Sequence, residues 1–131
     1  MAYKQFDIVR RVKNTANGIY EVGKLYVVRI ARDFSIEVYG ISGFGEYFEK
    51  VETTPAIEAR KGDKVICYQI KGKYITNPTL GEVYKVMNVH KGSKSIVLKW
   101  GTDEIFFDVN DFKVVKKAPR KIDVQKLYRE N

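Results

Sequence analysis

One cysteine and one histidine are all that the 131 residues offer of thiolate and imidazole metal ligands. Cys67 has no partner for an internal disulfide, and one Cys with one His (His90) cannot build a tetrahedral zinc site. No apolar run approaches the roughly 18 residues that a membrane-spanning helix needs. The N-terminal stretch MAYKQFDIVRR lacks the apolar core of a secretory signal, which leads to the expectation of a cytoplasmic protein. Neither a GxGxxG fingerprint nor a GxxxxGK[ST] phosphate loop occurs. His90 stands beside Lys91 with no carboxylate to orient it as a general base. Asp103 and Glu104 read as solvated turn carboxylates. The expectation is a non-enzymatic protein with no catalytic residue, no cofactor, no metal and no membrane partner.

What is present is a basic and moderately apolar chain. Lys plus Arg number 24 against 16 Asp plus Glu, a formal net charge of +8, and 44% of residues are hydrophobic. That apolar share is globular rather than disordered. The charge is uneven. Residues 1–51 carry eight basic and six acidic groups, residues 52–61 two of each, and residues 62–115 again eight and six. The last sixteen residues, KKAPRKIDVQKLYREN, carry six basic and two acidic groups, which is half of the whole excess. Basic arms favour nucleic acid, because neutralising phosphates releases counterions whatever the base sequence.

The chain also reads as an internal duplication. FDIVRRV (6–12) aligns with GDKVICY (62–68), placing Asp7 on Asp63 and Val9 on Val65. VGKLYVV (22–28) aligns with LGEVYKV (80–86), placing Gly23 on Gly81, Tyr26 on Tyr84 and Val28 on Val86. SIEVYG (35–40) aligns with SIVLKW (95–100), and YFEKV (47–51) with DFKVV (111–115), which sets Phe48 on Phe112. The matches keep their order, and the Asp-to-Gly spacing is 16 in one copy and 18 in the other. Strand-length segments rich in Val, Ile, Tyr and Phe are broken by Gly, Asn, Asp and Ser, so each copy is predicted to be all-β.

The expected strands are 7–12, 25–30, 36–39 and 47–48 in the first copy, and 64–68, 83–89, 95–100 and 104–108 in the second. ARDF (31–34) and HKGSK (90–94) are predicted hairpin turns, the latter with Gly92 at positive φ. ISGFGEYF (41–48) is predicted to turn a barrel corner. Long loops follow the first strand at 13–22 and 69–80. Val9, Tyr26, Val28, Ile36 and Phe48, with their partners Val65, Tyr84, Val86, Ile96 and Phe112, form the predicted core, and Cys67 joins a core or wall.

First strand, long loop, three hairpin-connected strands, then a tight turn into a short last strand: this order, with GDxV, LGxVYxV and a closing aromatic-Phe turn, resembles the SH3-like small β-barrels of KOW and Tudor type. It is similar in particular to small barrels common in bacteriophage proteins. VNDFKVV (109–115) resembles the helical turn and last strand that close SH3 domains. The resemblance covers about residues 5–115. It implies two tandem five-stranded barrels, 1–51 and 62–115, joined by a linker at 52–61 and followed by a basic tail or short helix at 116–131. It also implies binding: nucleic acid in KOW-type proteins, protein segments in SH3 and Tudor proteins.

The candidate nucleic-acid contacts are Lys71, Lys73 and Tyr74 on the second long loop, Lys91 and Lys94 on the neighbouring hairpin, and Lys116, Lys117, Arg120 and Lys121 on the tail. Lysines follow phosphates and a loop tyrosine stacks on a base. The leading expectation is a phage modulator of transcription or DNA transactions that binds DNA rather than RNA. The alternative is a module that inhibits or redirects a host protein.

Overall fold

In the computed structural model, residues 3–13, 22–38 and 41–119 are described. Among them the chain is all-β, with three short 3-10 turns and no α-helix. The strands in order are β1 (Ile8–Arg11), β2 (Leu25–Val27), β3 (Ile30–Ala31), β4 (Ser35–Val38), β5 (Ile41–Phe44), β6 (Phe48–Lys50), β7 (Thr54–Pro55), β8 (Lys64–Cys67), β9 (Val83–His90), β10 (Ser95–Trp100), β11 (Asp103–Asp108) and β12 (Phe112–Lys116). They form three sheets: β2-β1-β6, β3-β4-β5 and β11-β10-β9-β8-β12-β7. None of the three closes on itself.

Alternation explains the layers. In β4, Ile36 and Val38 are buried while Ser35 and Glu37 are not; in β8, Val65 and Cys67 face the same core. The first core gathers Val9, Tyr26, Val28, Ile36, Val38 and Phe48. The second gathers Val65, Cys67, Val86, Ile96, Leu98, Phe107, Val109, Phe112 and Val114, with Ala56 and Ala59. Of the ten core positions expected from the sequence, only Tyr84 is not buried; it stacks on Trp100 at 5.3 Å between ring centroids.

The hydrogen bonds that frame β1 have counterparts at β8. The Val28 amide donates to the Asp7 carbonyl at 2.9 Å, and the Val86 amide to Asp63 at 2.8 Å. The Gly23 amide reaches the Arg11 carbonyl at 2.7 Å, and the Gly81 amide reaches Cys67 at 2.7 Å. Each aspartate carboxylate caps the turn before its strand, accepting from the Lys4 amide at 2.8 Å and from the Arg60 amide at 3.0 Å. Both turns need a left-handed residue, which is Phe6 (φ 73°) in one and Gly62 (φ 92°) in the other.

Several expectations are corrected. Ile41–Phe44 is a strand, fully paired with β4, rather than a corner turn. Leu25–Ile30 is not one strand: it breaks after Val27, where the Val28 amide serves β1 while the Arg29 amide serves Glu37 on β4. In the His90–Lys94 turn the left-handed residue is Lys94 (φ 54°) and not Gly92. The 52–61 segment does more than connect: Thr54–Pro55 pairs with β12, and Ala56 and Ala59 fill the second core. The tail residues from 120 onward, with the short helix expected there, and most of the first long loop (14–21) lie outside the described residues.

The two halves meet through the outer faces of their first strands. Ile8 and Val27 pack on Ile66, flanked by Phe6, Leu25, Val51, Tyr68, Val83 and Val115. Lys113 pins this seam: its Nζ donates to the Phe6 carbonyl at 2.8 Å and lies 4.5 Å above the Tyr68 ring centre. Burial lowers the Lys113 pKa, partly opposed by Asp7.

Candidate functional site

The outer face of β8 carries two residues of opposite character. Ile66 is buried beneath the first half, while Lys64, one pleat away on the same face, is exposed. Lys64 lies opposite Lys85 of β9 on one side and Lys116 of β12 on the other. A register shift after Val114 brings Lys116 into line. Three cations therefore stand in one row across three adjacent strands, spanning about 10 Å at the usual strand spacing.

More positive charge gathers at the end of this row. The turn before β8 presents Arg60 and Lys61, both exposed. Lys117 follows Lys116, and its neighbour Ala118 donates its amide to the Asp63 carboxylate at 2.8 Å, which fixes the chain beside that turn. Lys91 lines a cleft shared with Arg60 and Lys61. Among the described residues, none of Arg60, Lys61, Lys64, Lys85, Lys91, Lys116 and Lys117 forms an ion pair. The carboxylates nearby are Asp63, which accepts from the Arg60 and Ala118 amides, Glu58, in the Lys91 cleft, and Glu52, beside Lys116 and Lys117.

The residues singled out from the sequence fall in different places. Lys116 and Lys117 belong to the basic row and Lys91 to its extension. Lys71 and Lys73 lie at the other end of β12, where the loop is tied to Asp111 by the Lys71 and Gly72 amides at 3.1 and 3.0 Å. Lys94 is at that end too, its carbonyl accepting from the Val109 amide. Tyr74 does not stand free. Its hydroxyl donates to Asp111 at 2.6 Å and accepts from the Asp108 amide at 3.0 Å, and its ring packs edge-on against Phe107. Burial and the Asp111 bond raise its pKa. Arg120 and Lys121 lie outside the described residues.

In the first half three arginines are committed. Arg10 pairs with Glu49 at 2.9 Å and Arg32 with Glu37 at 3.4 Å, while buried Arg11 lies 4.9 Å from the ring centres of both Tyr47 and Phe48. Cys67 is buried: burial, with the Asp111 charge, pushes its thiol up to about 12, away from the reactive thiolate.

Sequence reading overlooked Arg60, Lys61 and Lys64. The signal was there in β8, where a lysine occupies the outward position that Ile8 fills in the first half. Only the sheet register brings Lys85 and Lys116 to its sides. No helix among the described residues is long and apolar enough to cross a membrane. Compared with protein-family models and with curated protein sequences, the chain matches none.

Proposed function

We propose that this is a non-enzymatic nucleic-acid-binding protein built of two tandem SH3-like modules, and that the Lys85–Lys64–Lys116 row is the centre of its phosphate-binding surface. The row is the observation that carries the reading. Like charges directly opposed on neighbouring strands destabilise a sheet. Lysines on edge strands block unwanted pairing, but β8 is an inner strand with a partner on each side. Three opposed cations at such a place serve an anion outside the protein better than they serve the fold. A row of about 10 Å matches about three phosphates along one strand of a nucleic acid.

The strand order supports the modular part of the reading. β8 lies between β9 and β12, and β9 continues to β10 and β11; β1 lies between β2 and β6, and β3 continues to β4 and β5. In each half the last strand returns to the first, the order of an SH3-like barrel, and the two aspartate-capped turns agree. The role we assign is occupancy of DNA, in preference to RNA, in phage transcription or DNA transactions.

The test is a binding titration of the full chain with duplex DNA, single-stranded DNA and RNA at 50 and 200 mM salt. Affinity falls steeply with salt, with a log–log slope near −0.9 for each phosphate neutralised on duplex DNA. Absence of binding to all three at the lower salt overturns the reading. It would favour the alternative, a protein-binding module, for which β11 stands at the edge of its sheet among the described residues.

A further inference from the structure

Phe106 and Phe107 are neighbours on β11 with opposite fates. Phe107 is 2% exposed in the second core, and Phe106, on the other face, is 60% exposed. Phe106 lies opposite Val97 of β10, and His90 of β9 lies opposite Ser95 of the same strand. The two rings meet across β10, stacked at 5.5 Å between centroids with 28° between planes. The stacked pair leaves an aromatic face on the outer side of the sheet. Among the described residues, β11 is the edge strand of its sheet.

The surroundings are cationic and hydrogen-bonding. Lys99 follows Val97 on the same face of β10, Asn88 lies opposite Val97, and Lys91 and Lys94 bound the turn that leaves His90. Of the carboxylates on this face, Glu104 lies opposite Lys99, while Asp108 is engaged by the Asn110 amide at 2.9 Å. Along β9 a register shift between Val86 and Asn88 returns His90 to the face that carries Lys85 of the basic row, at most about 17 Å away.

We propose that the His90–Phe106 ring pair is a stacking platform for unpaired bases, so that the preferred ligand is a single-stranded nucleic acid running along β9 from the basic row to the platform. This rests on the nucleic-acid reading above and narrows its ligand. Every base offers a π-face, so the platform accepts any base, and a fully paired duplex has none to give. The lysines on either side carry the phosphates.

The experiment compares wild type, Phe106→Leu and Phe106→Trp for binding to a 20-nucleotide oligo(dT), an oligo(U) of equal length and a duplex of mixed sequence. Leucine keeps an apolar cover over Val97 but removes the π-face; tryptophan keeps the π-face. The expected result is a loss of about five- to 150-fold on a single strand for Phe106→Leu. Affinity is retained by Phe106→Trp, and the duplex affinity and salt slope are unchanged by either. If Phe106→Leu binds single strands as wild type does, or loses duplex affinity equally, the platform is overturned while the nucleic-acid reading stands. If wild type binds none of the three ligands, both fall together.

Discussion

The Tyr74 hydroxyl donates to the buried Asp111 carboxylate at 2.6 Å. That carboxylate also receives the Lys71 and Gly72 amides, so one side chain closes the start of a long loop onto the turn before the last strand. Asp111 is nearly inaccessible, and every bond it receives replaces water it has lost. Tyr74→Phe keeps the ring against Phe107 but removes one donor to the carboxylate and the acceptor for the Asp108 amide. The expected cost is about 1.5–3 kcal/mol, the range for hydrogen bonds to charged groups, read as a lower urea midpoint with an unchanged m-value.

Alkaline pH weakens the fold by a related route. The Cys67 thiol is held up to about 12 by burial and by Asp111, and Tyr74 is raised by burial and its bond to the same carboxylate. Both groups are neutral when protonated. Above the unfolded thiol pKa of about 9, the unfolded chain releases a proton that the folded chain keeps, so stability is full below pH 9 and declines from there towards pH 12. Lys113, lowered by burial, contributes with the opposite sign as it loses its proton. Urea unfolding at pH 8, 9, 10 and 11 checks the net decline. Cys67→Ala removes up to about 1.4 kcal/mol per pH unit of that slope.

Gly43 in β5 makes room for its neighbours. A Cβ added there would lie 3.0 Å from Phe48 Cε2 and 3.4 Å from Arg11 Nη1, both on buried residues of the first half. Neither can retreat freely, because the Arg11 guanidinium lies over the Phe48 ring. Gly43→Ala is expected to cost about 1–3 kcal/mol, the range for overpacking, and thermal unfolding of the variant tests it.

Much of the fold was legible because the two copies repeat their apolar positions. Val9, Val65, Val86 and Ile96 were readable as core from matched positions of the repeat, and Ile36 from period-two alternation with Val38 as well. The errors came where a local signal was overridden by pairing. The glycines of ISGFGEYF suggested a turn, yet Gly43 is a strand residue paired with Ile36, and Phe48 and Arg11 occupy the space that a side chain there would need. Gly92 looked like the left-handed residue of its hairpin, yet Lys94 holds that position. Tyr74 looked like a loop aromatic, and nothing in QIKGKYITNPTL reveals that Asp111, 37 residues on, captures its hydroxyl. The basic row was the least legible feature, since Lys64, Lys85 and Lys116 are distant in sequence and joined only by register.

That register gives the most discriminating prediction. Lys64 stands between two lysines, and its replacement by a neutral residue of similar length removes both repulsions. Lys64→Gln should therefore raise stability, by about 0.2–1 kcal/mol for each opposed pair relieved. If the row serves the fold, for instance by shielding the seam at Ile66 with its aliphatic stem, the same change lowers stability. If the row binds phosphates, the variant gains stability and loses affinity together, and its salt slope on duplex DNA falls by about 0.9, one phosphate's share. The two readouts are independent: urea unfolding reports the first, and a titration at 50 and 200 mM salt the second. A variant that is more stable yet binds with undiminished affinity and slope removes Lys64 from the interface, and with it the argument that the opposed lysines are kept for an anionic partner.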